Sequence, residues 1–335
     1  MKVERVEEIL RRFPSKRILV IGDVMLDEFV WGRVSRISPE APVPVVDVIR
    51  ESYFPGGAAN VARNIKEFSS SVLLMGLVGV DRYADQLRKI LTESGINLDS
   101  IQSDPSYPTI VKTRIIARQQ QVVRVDRERP QPRSEELQNW SIQKISALLS
   151  EIDGIIFDDY GKGFLQQPFV NRVTSLARQA GKVVTADPNA RNKLTWRGLT
   201  AVKPNRSEAF VAANRPSIEP ELDPVQDKSL LIVGNKLLKD WNLDHLLITL
   251  GEQGMILFDG DQPPYHAPAR AREVYDVSGA GDTAIALFTL AVVSGATPIE
   301  AAEISNHASS VVVAKLGTAT VTPEELLESF RRNDA

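Results

Sequence analysis

Short apolar runs alternate with helical periodicities along almost the whole chain. Most of these runs are nearly continuous in Val, Ile and Leu, which is typical of strands buried on both faces of a parallel sheet. The predicted strands cover residues 17–22, 72–78, 154–157, 182–186, 201–203, 245–250 and 255–258. Helical patterns lie between them, for example over residues 58–68, 84–94, 135–149 and 230–239. This alternation predicts an α/β fold with a doubly wound, mostly parallel sheet.

Two segments interrupt the alternation of strands and helices. Residues 33–54 contain three prolines followed by an extended pattern, and residues 108–127 alternate apolar and polar positions without a helical period. Both patterns predict half-exposed antiparallel strands that form a small sheet outside the main one. A β lid of this kind would lie beside the strand ends and could cover a ligand. The alternative is a pair of hairpins without a role in binding.

Composition excludes several classes of function. The chain has 335 residues, of which 43% are hydrophobic and 25% charged, and we expect one domain over residues 1–335. A net charge of −3 gives no sign of a nucleic-acid partner. Cysteine is absent, and the three histidines lack metal-site spacing. No apolar run approaches the ~20 residues of a membrane span, and the charged amino end does not resemble a signal peptide, so we expect a cytoplasmic protein.

Residues 276–283, Asp-Val-Ser-Gly-Ala-Gly-Asp-Thr, carry the strongest chemical signal. Gly279 and Gly281 allow consecutive backbone N–H groups to point at one anion. The apolar run over residues 284–293 predicts a buried helix whose positive end lies at that point. A carboxylate there, Asp282, could remove a proton from an alcohol while a phosphoryl group arrives. The alternative is a glycine-rich helix start in which Asp282 is only a cap.

A second glycine pair, Gly56-Gly57, opens the helix that contains Asn60. Neither a G-x-x-x-x-G-K-[ST] loop nor a G-x-G-x-x-G fingerprint is present. One glycine pair near each end of the chain therefore suggests two ligand parts that meet between them.

Four motifs in this order make the chain resemble the ribokinase-type (pfkB) carbohydrate kinases over nearly its whole length. They are residues 55–62, the Asn-x-x-Glu motif at 205–208, the loop at 249–254 and the segment 276–283. Within that family, the run Ile-Ser-Pro-Glu-Ala-Pro-Val-Pro at 37–44 is similar to the D-glycero-β-D-manno-heptose 7-phosphate kinases. The same similarity extends to residues 22–27, 159–163, 273–277 and 315–318.

The resemblance implies a role for each matching position. Asp282 would be the base on the anomeric hydroxyl, and Gly279, Ala280 and Gly281 would donate N–H groups to the migrating phosphoryl group. Asn205 and Glu208 would organise Mg²⁺ and the ATP phosphates, since a carboxylate suits this hard cation. The remaining nucleotide contacts would be Thr249, Gly251, Gly254, Asn306 and Lys162. Sugar hydroxyls would be held by Asp23, Asp27, Gly56, Gly57 and Asn60.

A phosphorylated sugar requires cations, and the predicted lid supplies several. Arg36, Lys112 and Arg114 are the chosen candidates, with Arg33, Arg118 and Arg124 beside them. The alternative is an ordinary solvated strand face.

Some of the other assignments have structural alternatives. Asp23 could be a turn residue, Lys162 could be solvated, and Glu208 could only stabilise the start of a helix. His307 more readily packs or caps than catalyses.

The implied reaction is transfer of the ATP γ-phosphoryl group to O1 of a heptose 7-phosphate. Rival interpretations are a kinase for another sugar or sugar phosphate, a dinucleotide-binding oxidoreductase, and an inactive binding protein. Lid strands with apolar outer faces favour a homodimer.

In the bifunctional form of this kinase, a nucleotidyltransferase domain with a His-x-Gly-His motif follows the kinase domain. That motif is absent and the chain ends at Ala335, so a kinase without this second activity is expected. Asp187-Pro188-Asn189 stands where the heptose kinases usually have Asp-Pro-Lys, a departure that bears on the substrate rather than on the reaction class.

Overall fold

The computed structural model describes residues 1–117, 120–217, 219–270, 274–315 and 317–334. Arg118, Glu273 and Leu316, which belong to segments named above, lie outside the described residues.

Strands and helices alternate in the order that the hydrophobic pattern predicts. The strands are β1 (Arg17–Gly22), β2 (Val24–Ile37), β3 (Pro44–Gly57), β4 (Ser71–Val78), β5 (Asn97–Ser103), β6 (Ile110–Ala117), β7 (Gln120–Arg127), β8 (Gly154–Asp158), β9 (Val183–Asp187), β10 (Ala201–Val202), β11 (His245–Thr249), β12 (Met255–Asp259) and β13 (Tyr265–Ala267). The helices are α1 (Val3–Leu10), α2 (Ala58–Lys66), α3 (Arg82–Glu93), α4 (Glu135–Leu148), α5 (Gln167–Gln179), α6 (Arg206–Ala212), α7 (Lys228–Asp240), α8 (Ala280–Val293), α9 (Pro298–Val312) and α10 (Pro323–Asp334).

Nine strands form the main sheet in the order β13-β12-β11-β10-β9-β8-β1-β4-β5. Every neighbouring pair from β11 to β5 is parallel, and only β12 and β13 are added antiparallel at one edge. The prediction of a doubly wound, mostly parallel sheet is therefore confirmed. The pattern did not predict β5 or β13, because β5 is a polar edge strand and β13 has only three residues.

Two hydrophobic cores lie on opposite faces of this sheet. In β1, Ile18 and Val20 belong to one core, whereas Leu19 and Ile21 belong to the other. This explains the continuous apolar run, because successive side chains of a strand point to opposite faces and both faces are covered. Helix α8 is buried along most of its length, which positions its amino end firmly against the sheet.

Four strands form the lid, in the order β3-β2-β6-β7. The hairpins β2–β3 and β6–β7 are antiparallel, as predicted, but β2 and β6 pair in parallel. The parallel pair has a simple origin: β2 follows β1 and β6 follows β5, and the carboxyl ends of these parallel strands lie at the same sheet edge. The lid also begins earlier than residue 33, because β2 starts at Val24.

The chain enters and leaves the first lid hairpin at two adjacent points. Asp23 separates β1 from β2, and Gly57 ends β3 immediately before α2. The Ala58 N–H donates to the Asp23 carbonyl at 3.1 Å, and Gly57 has a φ of 56°. A Cβ at position 57 would lie 2.4 Å from the Asp23 carbonyl oxygen, so only glycine fits here. Among the described residues, no helix is both long and apolar enough to cross a bilayer.

Candidate active site

Polar side chains collect at the carboxyl ends of the central parallel strands. Gly22, Asp158 and Asp187 are register partners on β1, β8 and β9, and Lys203 directly follows β10. The chain continues from β1 to β4 on one side and later returns to β8 on the other. The strand order therefore reverses at β1, which is the position where open α/β sheets bind ligands.

Asp282 lies in the first turn of α8 with only 4% of its surface exposed. Asn60 Nδ2 donates to its Oδ2 at 2.7 Å, and the Tyr160 hydroxyl donates to its Oδ1 at 2.9 Å. Burial raises the pKa of Asp282 to about 7, and the negative charge of Asp187 adds to this rise, while the two hydrogen bonds oppose it. A carboxylate with such a pKa is suited to general-base work near neutral pH.

The start of α8 has the backbone geometry expected of an anion cradle, and its contact with a phosphoryl group stays a prediction. Gly279 adopts the left-handed conformation with a φ of 81°, and a Cβ there would lie 2.9 Å from Asn60 Nδ2. The first N–H groups of a helix have no partner within it and attract anions. Lys203 adds a positive charge, because its Nζ would lie 3.4 Å from a Cβ at Gly281. A transferring phosphoryl group would therefore meet both N–H donors and an ammonium.

A cavity of about 480 Å³ opens beside this helix start. Its walls include apolar side chains such as Met255, Val277 and Val313, which suit a flat heterocyclic base. Arg270, which the sequence did not single out, also lines it. Six residues predicted for the nucleotide or phosphoryl group share this cavity: Thr249, Gly251, Gly254, Ala280, Gly281 and Asn306.

Two of these residues shape the cavity through the backbone. Asn306 Nδ2 donates to the Pro268 carbonyl at 2.7 Å and so holds the loop that follows β13. Gly254 has a φ of 89°, and a Cβ there would lie 2.1 Å from the Ala267 carbonyl oxygen. Both arrangements keep the cavity wall close to the strand ends.

Asn205 and Glu208 form a capping box at the start of α6. Asn205 Oδ1 accepts from the Glu208 N–H at 2.9 Å, and Glu208 Oε2 accepts from the Asn205 N–H at 2.8 Å. Glu208 therefore does stabilise a helix start, which was the structural alternative. Burial and the negative charge of Asp187 raise its pKa to about 7. Glu208 and Asp187 are two half-buried carboxylates that interact electrostatically, and carboxylate oxygens are the kind of donor that fits Mg²⁺.

The carboxylate of Asp23 binds backbone N–H groups of the loop that follows β8. Its carboxylate accepts backbone N–H groups from Tyr160 at 3.0 Å, Lys162 at 3.0 Å and Phe164 at 3.1 Å. This is an anchoring role, and contact between Asp23 and a sugar stays a prediction. The anchored loop carries the Tyr160 hydroxyl to Asp282.

The other predicted sugar residues lie at the base of the lid. Arg114 Nη1 is 2.5 Å from Asp27 Oδ1, and a Cβ at Gly56 would lie 2.8 Å from Asp27 Oδ2. Asn60, Gly56 and Gly57 are buried; Gly56 borders Asp27, and Asn60 donates to Asp282 in α8. The structure thus gathers these residues on the lid side of Asp282.

The predicted phosphate-binding residues separate into two groups. Lys112 and Lys162 share Glu128: Lys162 Nζ is 2.6 Å from its Oε1, and Lys112 Nζ is 3.8 Å from its Oε2. Lys162 is therefore an ion-paired, buried residue rather than a solvated one. Arg36 is exposed nine residues beyond Asp27 along β2, a distance of about 30 Å for an extended strand. Within one chain, Arg36 does not join the site.

Sequence reasoning did not assign a role to Asp158, Tyr160, Asp187 or Lys203. A signal was available, since each of these residues ends or follows a predicted buried strand. Residues at the carboxyl ends of parallel strands face the ligand crevice. His307, by contrast, packs against Phe330 with ring centroids 3.7 Å apart, as the structural alternative for it predicted.

Comparisons with known proteins identify the family of the chain. The model of the pfkB family carbohydrate kinases matches residues 15–325. The chain is 40% identical over 328 residues to the bifunctional protein HldE of Trichlorobacter lovleyi, covering 98% of this chain and 65% of that protein. It is 42% identical to the HldE of Salmonella dublin, with 96% and 65% covered. The chain thus spans 65% of the length of these curated relatives.

Solved structures show the same fold at low sequence identity. Arabidopsis thaliana ribokinase complexed with ribose and ATP superposes with a TM-score of 0.72 at 17% identity, over 95% of this chain and 99% of that one. Phosphofructokinase-2 from Escherichia coli in complex with substrates and products gives a TM-score of 0.76 at 15% identity, over 96% and 100%. The fold is therefore ribokinase-like. The family model, which matches residues 15–325, shows that the chain belongs to the pfkB family of carbohydrate kinases.

Proposed function

We propose that this protein is a cytoplasmic ATP-dependent kinase that phosphorylates O1 of D-glycero-β-D-manno-heptose 7-phosphate. The product would be the 1,7-bisphosphate, a precursor of the ADP-heptose used in the lipopolysaccharide core. The observation that carries the proposal is the position of Asp282, between a nucleotide-sized cavity and the base of the lid. The similarity to HldE proteins over 328 residues supports a heptose as the acceptor.

In the proposed reaction, Asp282 accepts the proton of the anomeric hydroxyl as O1 attacks the γ-phosphorus of ATP. The bond between O1 and phosphorus forms while the bond from the γ-phosphorus to the bridging oxygen breaks, and ADP leaves. Helix α8 and Lys203 stabilise the negative charge on the migrating group. Phosphoryl transfer depends mainly on such positioning and charge stabilisation.

Glu208, with Asn205 and Asp187 nearby, would hold Mg²⁺ together with the ATP phosphates. When bound, the ion would neutralise charge on the phosphates. To bind the ion through Oε2, Glu208 would have to give up the hydrogen bond from the Asn205 N–H. Alternatively, Glu208 would keep that hydrogen bond and bind the ion through its other carboxylate oxygen. The pKa of Glu208 is about 7 without an ion, and a neighbouring cation would lower it and so favour the ionised form.

The lid supports a sugar that carries a distal phosphate. Lys112 comes from β6 and Lys162 from the loop after β8, and both are paired with Glu128 at the end of the lid. A phosphate that approached these two ammonium groups would compete with Glu128 for them. Closing the lid over the sugar would also exclude water, the competing acceptor.

A substrate panel tests the proposal directly. Purified protein with Mg²⁺ and ATP is assayed for ADP release against heptose 7-phosphate, unphosphorylated heptose, ribose, fructose and fructose 6-phosphate. Phosphorus NMR of the product assigns the modified oxygen. We expect heptose 7-phosphate to give the highest kcat/KM, with an anomeric phosphate in the product. A higher kcat/KM on another sugar would replace the heptose assignment with the rival sugar kinase.

Lys112→Ala tests the distal phosphate contact. We expect kcat/KM for the phosphorylated sugar to fall roughly tenfold to a hundredfold, the value of one hydrogen bond to a charged group. Activity on the unphosphorylated sugar should change little. Lys89→Ala, which removes an exposed lysine on α3, is the matched control. Equal losses on both sugars would argue against a phosphate contact at Lys112.

The same lid supports a homodimer. Val48, Ile49, Val123 and Val125 are exposed in the isolated chain, on strands at the two edges of the lid sheet. Exposed apolar edge strands are commonly covered by a second copy. Light scattering of the wild type and of Val123→Asp measures this, and a monomeric wild type would exclude the lid dimer.

A further inference from the structure

Arg270 is a cation on the wall of the nucleotide-sized cavity that the proposed reaction does not use. It follows the edge strand β13 by three residues, and 32% of its side chain is exposed. Among the residues that the structure describes, none accepts a hydrogen bond from Arg270, and its Nε is buried. A guanidinium carries five N–H donors in a planar fork. These donors are therefore available to a ligand in the cavity.

A buried carboxylate fixes the position of this guanidinium. Glu303 on α9 is 5% exposed, and its Oε2 lies 3.9 Å from Arg270 Nη2. The Tyr265 hydroxyl donates to Glu303 Oε1, and His307 Nε2 lies 3.9 Å from Oε2. Burial lowers the pKa of His307 to about 3, so the imidazole is neutral near pH 7 and Arg270 is the cation that balances Glu303 among the described residues. Because 3.9 Å is longer than a hydrogen bond, this attraction holds the guanidinium in place and leaves its N–H groups unused.

The cavity runs from the centre of the main sheet to its edge. Ala280 and Gly281 line it at the start of α8, which contacts β9 and is the expected position of the triphosphate. Strand β13 lies four strands away from β9, a distance of about 19 Å at the usual strand spacing. Arg270 follows β13 and therefore lines the end of the cavity away from α8. A nucleotide with its phosphates at α8 would extend its base toward Arg270.

Purine bases differ in what they offer to a guanidinium. Guanine and hypoxanthine present two acceptors, O6 and N7, on one edge, and arginine binds this pair in a bidentate way. Adenine presents N7 beside a 6-amino group, so a second arginine N–H would face another donor. A guanidinium with unused donors at the base end of the cavity therefore favours a base with an oxygen at C6.

We propose that this kinase accepts GTP and ITP as phosphoryl donors in addition to ATP, because Arg270 binds the O6 and N7 edge of a 6-oxopurine. The proposal rests on the function proposed above, since the acceptor and the base Asp282 are the same. The bond between the sugar O1 and the γ-phosphorus of GTP forms while the bond from that phosphorus to the bridging oxygen breaks. GDP leaves, and Asp282 accepts the proton of the hydroxyl.

Isothermal titration of the full chain with Mg²⁺ and each nucleotide, without sugar, tests the base contact. We expect GTP and ITP to bind within about tenfold of ATP or more tightly. ITP isolates Arg270 from Glu252, which also lines the cavity, because ITP lacks the 2-amino group that a carboxylate could accept from. The analogue 7-deaza-GTP lacks N7 and should bind roughly tenfold to a hundredfold more weakly than GTP, the value of one hydrogen bond to a charged group.

Arg270→Gln should shift the preference toward ATP, because glutamine pairs with the N6 and N7 edge of adenine. The kcat/KM for GTP divided by that for ATP, measured with the best acceptor of the substrate panel, should fall about fivefold to a hundredfold. Arg172→Gln, which changes an exposed arginine on α5, is the matched control and should leave this ratio unchanged. Circular dichroism confirms that each variant is folded.

Three results would overturn the proposal. They are a Kd for GTP or ITP more than about tenfold above that for ATP; equal binding of GTP and 7-deaza-GTP; and equal losses with ATP and GTP in Arg270→Gln, which would place Arg270 against the ribose or the phosphates. If Arg270→Gln does not fold, the nucleotide series on the wild type still decides, because it changes only the ligand. A failure here would leave turnover with ATP intact, whereas a failure of the kinase proposal would appear as no turnover on any sugar of the panel.

Discussion

Replacing Asp282 by Asn is the sharpest test of the proposed base. The side chain keeps its size and, through its carbonyl oxygen, can still accept from Tyr160. The new amide group would face Asn60 Nδ2, but Asn60 Oδ1 has no hydrogen bond among the described residues and can accept after the Asn60 amide turns over. Packing should therefore survive, and the variant should lose only the capacity to take up a proton.

The expected loss falls on kcat. Removing a general base is typically worth about 10²–10⁴-fold, or roughly 3–5 kcal/mol of the barrier. Wild-type kcat should rise with pH through about 7, because Asp282 must be ionised and its pKa lies there. The variant should retain only a small, nearly pH-independent rate.

Although Asp282→Asn should lower kcat, it should raise the free energy of unfolding. Because the pKa of Asp282 is raised from 3.8 to about 7, the folded protein binds more protons than the unfolded chain between those pH values. The free energy of unfolding of the wild type therefore falls as pH rises through this window, and the full cost of roughly 4 kcal/mol is present above it. Asp282→Asn lacks this cost, so the variant should gain stability relative to the wild type between pH 5 and pH 8.

The assay combines ADP release with thermal melting of both proteins at pH 5 and pH 8. Asp261→Asn, which changes an exposed aspartate after β12, is the matched control and should alter neither measurement. If Asp282→Asn retains more than about a third of the wild-type kcat, the base assignment is refuted, because that loss is far below the general-base range.

Three further substitutions test the surroundings of the base. Glu208→Gln should raise the Mg²⁺ concentration for half-maximal rate, and the wild-type requirement should grow below about pH 7, where Glu208 takes up a proton; an unchanged Mg²⁺ dependence would leave Glu208 as a helix cap. Tyr160→Phe removes a hydrogen bond that lowers the pKa of Asp282, so the rise of kcat with pH should move about one to two pH units higher; an unmoved pH profile would reduce Tyr160 to packing. Gly279→Ala places a Cβ 2.9 Å from Asn60 Nδ2, at a residue whose φ is 81°. The substitution should lower kcat, and it should lower the free energy of unfolding by about 1–2 kcal/mol. Gly260→Ala has a similar backbone strain in open space and should affect stability alone, so an equal loss of kcat in both variants would contradict a role of Gly279 in the cradle.

The parts of the fold that sequence could predict are those that local pattern determines. The apolar runs of β1 and β8 mark strands because both faces of each are covered, and no knowledge of their neighbours is needed. Likewise, the glycines at 279 and 281 indicate a helix start near an anion by backbone geometry alone. Five residues share one cavity because they end or follow a strand or begin a helix at the same sheet edge: Thr249, Gly251, Gly254, Ala280 and Gly281.

The parts that sequence could not predict depend on contacts between distant segments. The carboxylates of Asp158, Asp187 and Asp282 come within 4.8 Å of one another only because β8 pairs with β9 and α8 contacts both strands. The parallel pairing of β2 with β6 also requires knowing that both strands leave the same edge of the main sheet. Asp23 shows the same limit, because its three backbone donors come from a loop more than a hundred residues away.

The hinge of the lid, at Asp23 and Gly57, bears on which parts of this enzyme can change without loss of turnover. Both ends of the β2–β3 hairpin are fixed beside the base, at Asp23 and Gly57, whereas its tip between Ile37 and Pro44 is exposed and far from the chemistry. Insertions or exchanges at the tip can therefore alter what the lid touches without disturbing proton transfer. Changes at the hinge would disturb proton transfer, since a larger residue at Gly57 would displace the backbone that leads to Asn60. We expect diversification by recombination to succeed when the crossover lies in the tip and to abolish turnover when it lies at the hinge.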